Sequence, residues 1–278
     1  MPPIDFVAAW AAAMRQRPSR RLDPAEDRAF WEQCAAEYDG RAGAAGTATR
    51  CLALVAGLLR PDDTLLDVGA GTGRFALPLA RHVRAVTALD QSAAMLDLLQ
   101  RKASLHSITN IHCIEAEWPN AAVEPHDVVL AAWSLYRQLD LGVALARLVA
   151  VTRRTLVVLD GVGCDPPHRP LFERYFGPWS ESELPNHLYL AGALWQQGML
   201  AEVQIVTETP TMIGETAYEI AAQLAPLNTP PEVVTALAYD LAPLLAPFEE
   251  GCCYVYQQAA GAVIWHAINP ESCTKTFP

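Results

Sequence analysis

Lysine is nearly missing from this sequence: Lys102 and Lys275 are the only two in 278 residues, and the formal net charge is −11. A surface this acidic repels a phosphate backbone, which argues against nucleic acid as substrate or partner. The one basic cluster, Arg15, Arg17, Arg20 and Arg21, reads as the solvated end of a first helix. Long hydrophobic runs are lacking too. The longest, such as 155–160 and 261–266, are strand-length and far too short to span a bilayer. The first fourteen residues form an Ala-rich amphipathic stretch, not a basic patch followed by an apolar segment, so no signal peptide and a cytoplasmic location are expected. The seven cysteines are odd in number and show no CxxC spacing, which fits neither a disulfide framework nor a metal site. The pair Cys252-Cys253 reads as small hydrophobes.

What is present falls into two patterns. Residues 1–46 read as a helical lid, with helices at about 4–16 and 24–38, Asp23 as N-cap and Pro24 at the first helical position. A turn-rich stretch, 39–43, follows, then a helix at about 47–59. From Pro61 short β-rich runs alternate with helices: strands at 64–68, 85–90, 111–115, 127–132 and 154–159, helices at 75–82, 93–104 and 141–152. Continuous apolar strands alternating with helices predict an α/β fold with a mostly parallel sheet covered on both faces, whose ligands bind beyond the carboxyl ends of the strands. After Asp160 the alternation lapses. Residues 161–185, rich in Pro, Gly and aromatics, read as an ordered loop over the site, within a cap at about 161–190. A short helix at 191–198, a strand at 201–207, a helical insertion at about 214–250 and final strands at 254–257 and 262–267 complete a domain spanning 47–278.

The strand ending Leu65-Leu66-Asp67-Val68 runs into Gly69-Ala70-Gly71-Thr72-Gly73 and then a helix. The glycines permit positive φ and let the backbone approach a ligand closely. Gly71 to Ala76 also fits the dinucleotide pattern G-x-G-x-x-A. Asp67 decides against that reading. It lies two residues before the first glycine, where a pyrophosphate would be repelled and the cationic amino group and sulfonium of S-adenosylmethionine (SAM) would be held. The next strand ends in Asp90, placed to accept both ribose hydroxyls.

With LLDVGAGTGRFALPLA over 65–80 and ALDQSAAML over 88–96, the chain resembles the class I SAM-dependent methyltransferases. The resemblance implies a Rossmann-like fold with a seven-stranded sheet and SAM as cofactor. It places Asp67, Gly69, Ala70, Gly71 and Gly73 around the donor, Asp90 on the ribose, and Gln91 and Met95 beside the adenine. Glu115 or Glu117 would receive the adenine amino group, and Trp118 either stacks on that ring or packs beneath a loop. Ala131 and Trp133, ending the fourth strand, would line the donor site.

After that strand the family's nucleic-acid amino-methyltransferases carry Asn/Asp-Pro-Pro-Tyr/Phe. Here the run is Ala132-Trp133-Ser134-Leu135-Tyr136, which again points away from a base amine. Ser134 and Tyr136 would overhang the methyl donor, Tyr136 either orienting an acceptor or packing on the sheet. Three aromatic-bearing segments compete to form the acceptor site: Phe30, Trp31 and Tyr38; His168, Arg169, Tyr175, Trp179, His187 and Tyr189; and Tyr218 and Tyr239. Tyr38-Asp39 resembles the lid of small-molecule methyltransferases. Tyr38, Ser134, Tyr136 and Tyr175 are the candidate catalytic residues, with His168 and His187 as candidate bases. The expected reaction is methyl transfer from SAM to a small molecule, with secondary metabolism as the expected setting. The alternative is cyclisation of SAM alone, as in azetidine-2-carboxylate synthases, with release of methylthioadenosine.

Overall fold

The structure is a computed structural model describing residues 4–16, 23–44, 49–163, 165–177, 185–226 and 229–267. Arg17, Arg20, Arg21, Cys164, Trp179, Cys273 and Lys275 lie outside the described residues. In chain order the elements are α1 (Phe6–Arg15), α2 (Pro24–Ala44), α3 (Thr49–Leu58), β1 (Thr64–Val68), α4 (Ala76–Leu79), β2 (Ala85–Asp90), α5 (Ala93–Leu105), β3 (Ile111–Glu115), β4 (His126–Ala132), α6 (Leu141–Ala150) and β5 (Thr152–Gly161). They continue as α7 (Arg169–Phe176), α8 (Asn186–Gln196), β6 (Glu202–Glu208), β7 (Thr211–Gly214), α9 (Ala217–Leu224), α10 (Pro231–Leu241), β8 (Ala246–Phe248), β9 (Gly251–Val255) and β10 (Gln258–His266).

Seven strands form one sheet in the order β3-β2-β1-β4-β5-β10-β6. The first five are parallel, and β10 inserts antiparallel between β5 and β6. Successive side chains of a strand point to opposite faces, so an apolar run fills two cores at once. Leu66, Val129, Leu156 and Val158 face one core, completed by Leu145 of α6 and Leu190 of α8. Leu65, Leu130, Val157 and Leu159 face the other, with Leu79 of α4 and Leu99 of α5. The mostly parallel seven-stranded sheet is thus the one expected from the alternation. Among the described residues no helix is long and apolar enough to cross a membrane.

A third cluster belongs to a separate three-stranded sheet, β7-β9-β8, inserted between β6 and β10. Met212, Ile220, Leu237, Leu241 and Tyr254 form its core, with Leu171, Tyr175 and Phe176 of α7 packed against it. Three sequence expectations are corrected here. The stretch 161–185 contains a helix, α7, whose start carries Pro170, a residue well suited to a first helical turn though it also reads as a loop signal. The turn expected at 39–43 is helical, because α2 runs on to Ala44 while Asp39 is tied to Lys102 at 2.8 Å and to Thr72 Oγ1 at 2.5 Å. α6 stops at Ala150, and Thr152 opens β5 with its hydroxyl donating to Leu148 O at 2.7 Å.

The N-terminal helices have different duties. α1 belongs to the core: Trp10 and Met14 are fully buried, and the Trp10 indole donates to Gln138 O at 2.6 Å. It reaches α8 so closely that a Cβ on Gly192 would overlap the Phe6 ring. We expect Gly192→Ala to cost about 1–3 kcal/mol through overpacking, read as a lower urea midpoint with an unchanged slope. Wild-type stability would show that α1 is not packed there.

Candidate functional site

At the carboxyl end of β1 the chain turns through Gly69, Gly71 and Gly73 with φ of +76°, +54° and +88°. The amides of Gly69 and Ala70 both donate to Leu89 O, at 2.7 and 3.0 Å, which folds the loop onto β2. Gly69 has no room for a side chain, since a Cβ would overlap Ser134 Cβ from the β4 side. The loop therefore lies flat between the ends of β2 and β4, with its backbone open to a cleft.

Two carboxylates face that cleft. Asp67 is 2% exposed, and its Oδ2 has no hydrogen-bond partner. Burial first, then the neighbouring Asp90, push its carboxyl up to about 7, against the pull of the Ala76 amide. Asp90 accepts from the Gly71 amide at 2.8 Å through Oδ2 and from the Ser92 amide at 2.9 Å through Oδ1. Its carboxyl is also raised, by burial, although those amides and the Arg137 charge work the other way. A buried carboxyl with an oxygen unsatisfied and a second carboxyl beside it is a seat for a cation.

The cleft has a volume of about 510 Å³. The glycine loop, Asp67 and Asp90 line its floor; Met95 and Trp118 line it too, and Trp133, Ser134 and Tyr136 contribute from the end of β4. Phe30, Trp31, Cys34 and Tyr38 of α2 roof it. Trp31 makes edge contacts with Phe30 and Tyr38, with centroids 5.0 and 5.7 Å apart, and Trp133 lies 6.1 Å from Phe75. Trp133 takes φ of +51°, a left-handed conformation unfavourable for a bulky residue, with its amide on Leu159 O at 2.8 Å. Strain of this kind persists where the surroundings over-determine the backbone, typically at sites.

The structure gathers Tyr38, Asp67, Gly69, Ala70, Gly71, Asp90, Gln91, Met95, Trp118, Trp133, Ser134 and Tyr136 around this cleft. Trp118 does so while mostly buried, its indole donating to Ala144 O at 3.2 Å. Five expected residues stand elsewhere. Gly73 supports the loop from beneath, where a Cβ would come within 2.8 Å of Leu99. Ala131 is buried in the sheet core. Glu115 ends β3 in register with Asp90, exposed to solvent. Glu117 faces Arg137 at 3.6 Å. Tyr175 is in the cap, its hydroxyl donating to Asp240 at 2.7 Å. The candidate bases are also remote from the cleft lining. His168 is buried against Tyr254, with Nδ1 3.0 Å from the hydroxyl, and burial lowers its pKa to about 4. His187 is buried in the first turn of α8 beside Gly261.

Sequence reasoning missed Asp27, Arg137, Arg74 and Gln258. Asp27 is 1% exposed, accepts from Gln91 Nε2 at 2.6 Å and pairs with Arg137 Nε at 2.9 Å. A signal was available: Asp27, Phe30, Trp31, Cys34 and Tyr38 recur at helical spacing, so all five share one face. Arg74 stands 6.0 Å over the Tyr38 ring, and Gln258 enters the cleft from the start of β10.

Residues 65–155, a third of the chain, match the family described as a methyltransferase domain. An uncharacterized protein of Haemophilus influenzae is 32% identical over 173 residues, covering 60% of this chain and 62% of that one. A malonyl-[acyl-carrier protein] O-methyltransferase of Serratia marcescens is 33% identical over 103 residues, 37% of this chain and 39% of that protein. The chain thus spans less than two thirds of the length of these relatives. Two solved structures share the fold: a protein of Bacillus halodurans (TM-score 0.53, 14% identity, 78% of this chain and 97% of that one) and a SAM-dependent methyltransferase of Aquifex aeolicus (TM-score 0.50, 15% identity, 87% and 98%).

Asp67 must be ionised to hold a cation, and it titrates near 7. We therefore expect SAM affinity to fall by about tenfold per pH unit below that point, and to fall again above about pH 8 as the ligand's amino group deprotonates. Calorimetric titration across the neutral range reads both limbs; constant affinity below pH 7 would remove Asp67 from the contact. Because the carboxyl titrates above its usual range in the folded state, the folded protein loses stability as pH rises from about 4 to about 7. Asp67→Asn should abolish the acidic limb and stabilise the unliganded protein by on the order of 1 kcal/mol, measurable as a raised melting midpoint near neutral pH.

Proposed function

We propose that this chain, whose residues 65–155 match a methyltransferase-domain family, is a class I SAM-dependent enzyme that transfers the methyl group of SAM to a small-molecule acceptor. The observation that carries this reading is the buried, unsatisfied Asp67 oxygen at the floor of a cleft roofed by an aromatic helix face. The carboxylate fits the cofactor's cationic amino group, and Asp90 keeps lone pairs for the ribose hydroxyls beyond those taken by the Gly71 and Ser92 amides. SAM supplies a methyl group made electrophilic by its sulfonium.

The protein's own contribution is orientation and exclusion of water. α2 is the lid, and its rings with Trp133 present π faces suited to a positive charge and an apolar wall against solvent. The Tyr136 hydroxyl accepts from the Trp31 indole at 2.6 Å and donates toward Asp27 at 3.2 Å. Burial and the Asp27 charge hold its pKa well above that of an ordinary phenol, so it acts as a neutral orienting group and not as a base. Proximity and desolvation are then the main sources of acceleration. A roofed cleft in a chain of net charge −11 favours a small acceptor over a nucleic acid. The Serratia relative, whose name assigns it O-methyl transfer, supports transfer over cyclisation.

Mass spectrometry of the adenosine products tests the reading directly. We expect S-adenosylhomocysteine to form only when an acceptor is supplied; methylthioadenosine from SAM alone would overturn it. Tyr136→Phe should cost about 1–2 kcal/mol of transition-state stabilisation and leave the pH profile of kcat unchanged. Loss of an alkaline limb with the hydroxyl would instead make Tyr136 an acid–base group.

A further inference from the structure

The first turn of a helix is an ordinary place for a solvated acidic residue, and Glu26 of α2 is exposed there. Its neighbour Asp27 is instead buried beneath the lid and shared by three groups. Oδ2 accepts from Gln91 Nε2 at 2.6 Å and meets Arg137 Nε at 2.9 Å, while the Tyr136 hydroxyl lies 3.2 and 3.3 Å from the two oxygens. Arg137 closes the ring by donating from Nη2 to Gln91 Oε1 at 2.7 Å.

This ring joins two parts of the site that no shared secondary structure connects. Gln91 lies between Asp90, which faces the cofactor end of the cleft, and Ser92, whose amide is held by Asp90 at 2.9 Å and whose hydroxyl donates to Glu32 of α2 at 3.2 Å. One three-residue segment thus grips the cofactor floor with its first residue and the lid with the next two. Tyr136 and Arg137 grip the lid from the β4 side, where the acceptor would sit. At the other end α2 is tied by Asp39 to Lys102, a half-exposed pair that adds little, and to the Thr72 hydroxyl of the glycine loop at 2.5 Å. A buried ion pair resists partial breakage, since losing one partner leaves a charge uncompensated. The lid therefore has a buried, charge-paired attachment at Asp27 and a partly solvated one at Asp39.

We infer that Asp27 is a positioning residue that couples cofactor occupancy to closure of α2, so that the acceptor chamber is completed only once the donor is in place. This rests on the reading that the cleft binds SAM. An ordering of residues 90–92 by the ligand stabilises Gln91 in the ring, and by linkage a closed ring tightens the ligand by the same factor. A purely structural staple would hold α2 equally in both states.

Hydrogen exchange of α2 in the full chain, with and without S-adenosylhomocysteine, separates the two, alongside calorimetric affinity. In the wild type the ligand should slow exchange across residues 24–38. Asp27→Ala should abolish that gain and weaken binding by about tenfold. Should Asp27→Ala fail to fold, Gln91→Leu carries the test, because it cuts the cofactor segment from the ring while leaving Asp27 paired with Arg137. In that variant α2 should keep its unliganded protection and gain none from the ligand. Equal ligand-induced protection in wild type and variants overturns the coupling. Wild-type binding without any change in α2 also overturns it but spares the cofactor reading, whereas no wild-type binding at all defeats both.

Discussion

A buried carboxylate with one oxygen unsatisfied is costly to keep charged, and the cleft is arranged around one. Asp67 sits at the end of a central strand, flanked by β2 and β4, and is almost wholly buried. Asp90 beside it adds repulsion, and a single amide hydrogen bond from Ala76 opposes the two effects. The surroundings could have been built to neutralise this group, but the nearby arginine, Arg137, is engaged with Asp27 and Gln91 instead. The free protein carries a deficit of positive charge at one point, which a cationic ligand would supply. On the proposed reading, binding strength and the stability of the unliganded protein are set against each other at the same oxygen atoms.

Everything above that point exists to enclose it. The glycine loop brings backbone into contact with the β4 turn, Trp133 accepts an unfavourable φ to place its ring, and α2 spans the opening. The roof is not merely laid across the floor. Its aromatic residues share a helix face with Asp27, so the stripe that excludes water also carries the charge that fastens it. Rigid placement on a sheet edge and on one helix face gives the chamber its definition, while Asp39 at the far end of the helix is held by more solvated contacts to Lys102 and Thr72.

The parts of this arrangement readable from sequence are those made by contiguous residues. Apolar runs separated by helical periods locate β1 to β5, and the spacing of Asp67, the glycines and Asp90 follows the strand–turn–helix geometry closely enough to identify the floor. The roof was half legible: Phe30, Trp31 and Tyr38 stood out as aromatics, but an acid in the first turn of a helix, as Asp27 is, carries no local sign of a tertiary role. Its role depends on Gln91 and Arg137, which are distant in sequence and brought near only by the sheet. α7 was obscured because a proline at a helix start and a proline in a loop look alike, and the glycine-bearing end of α2 because the contacts of Asp39 with Lys102 and Thr72 are non-local. β7 and β8 are short strands whose only justification is pairing with β9, a non-local fact.

The antiparallel strand β10 has a consequence for how the molecule is assembled in time. β6 leaves the main sheet with only one ladder partner, β10, and the chain must first pass through the whole three-stranded cap before that partner is made. β5, too, has one edge open until then. During synthesis the five parallel strands can collapse with their helices and form the ligand floor, while an unpaired β6, bearing the exposed Val203 and Ile205, waits for β10. Long-range pairings of this kind are slow to close and leave strand edges available to wrong partners. The vulnerable interval therefore ends with the formation of the last strand, well after the residues that define the chemistry have been laid down.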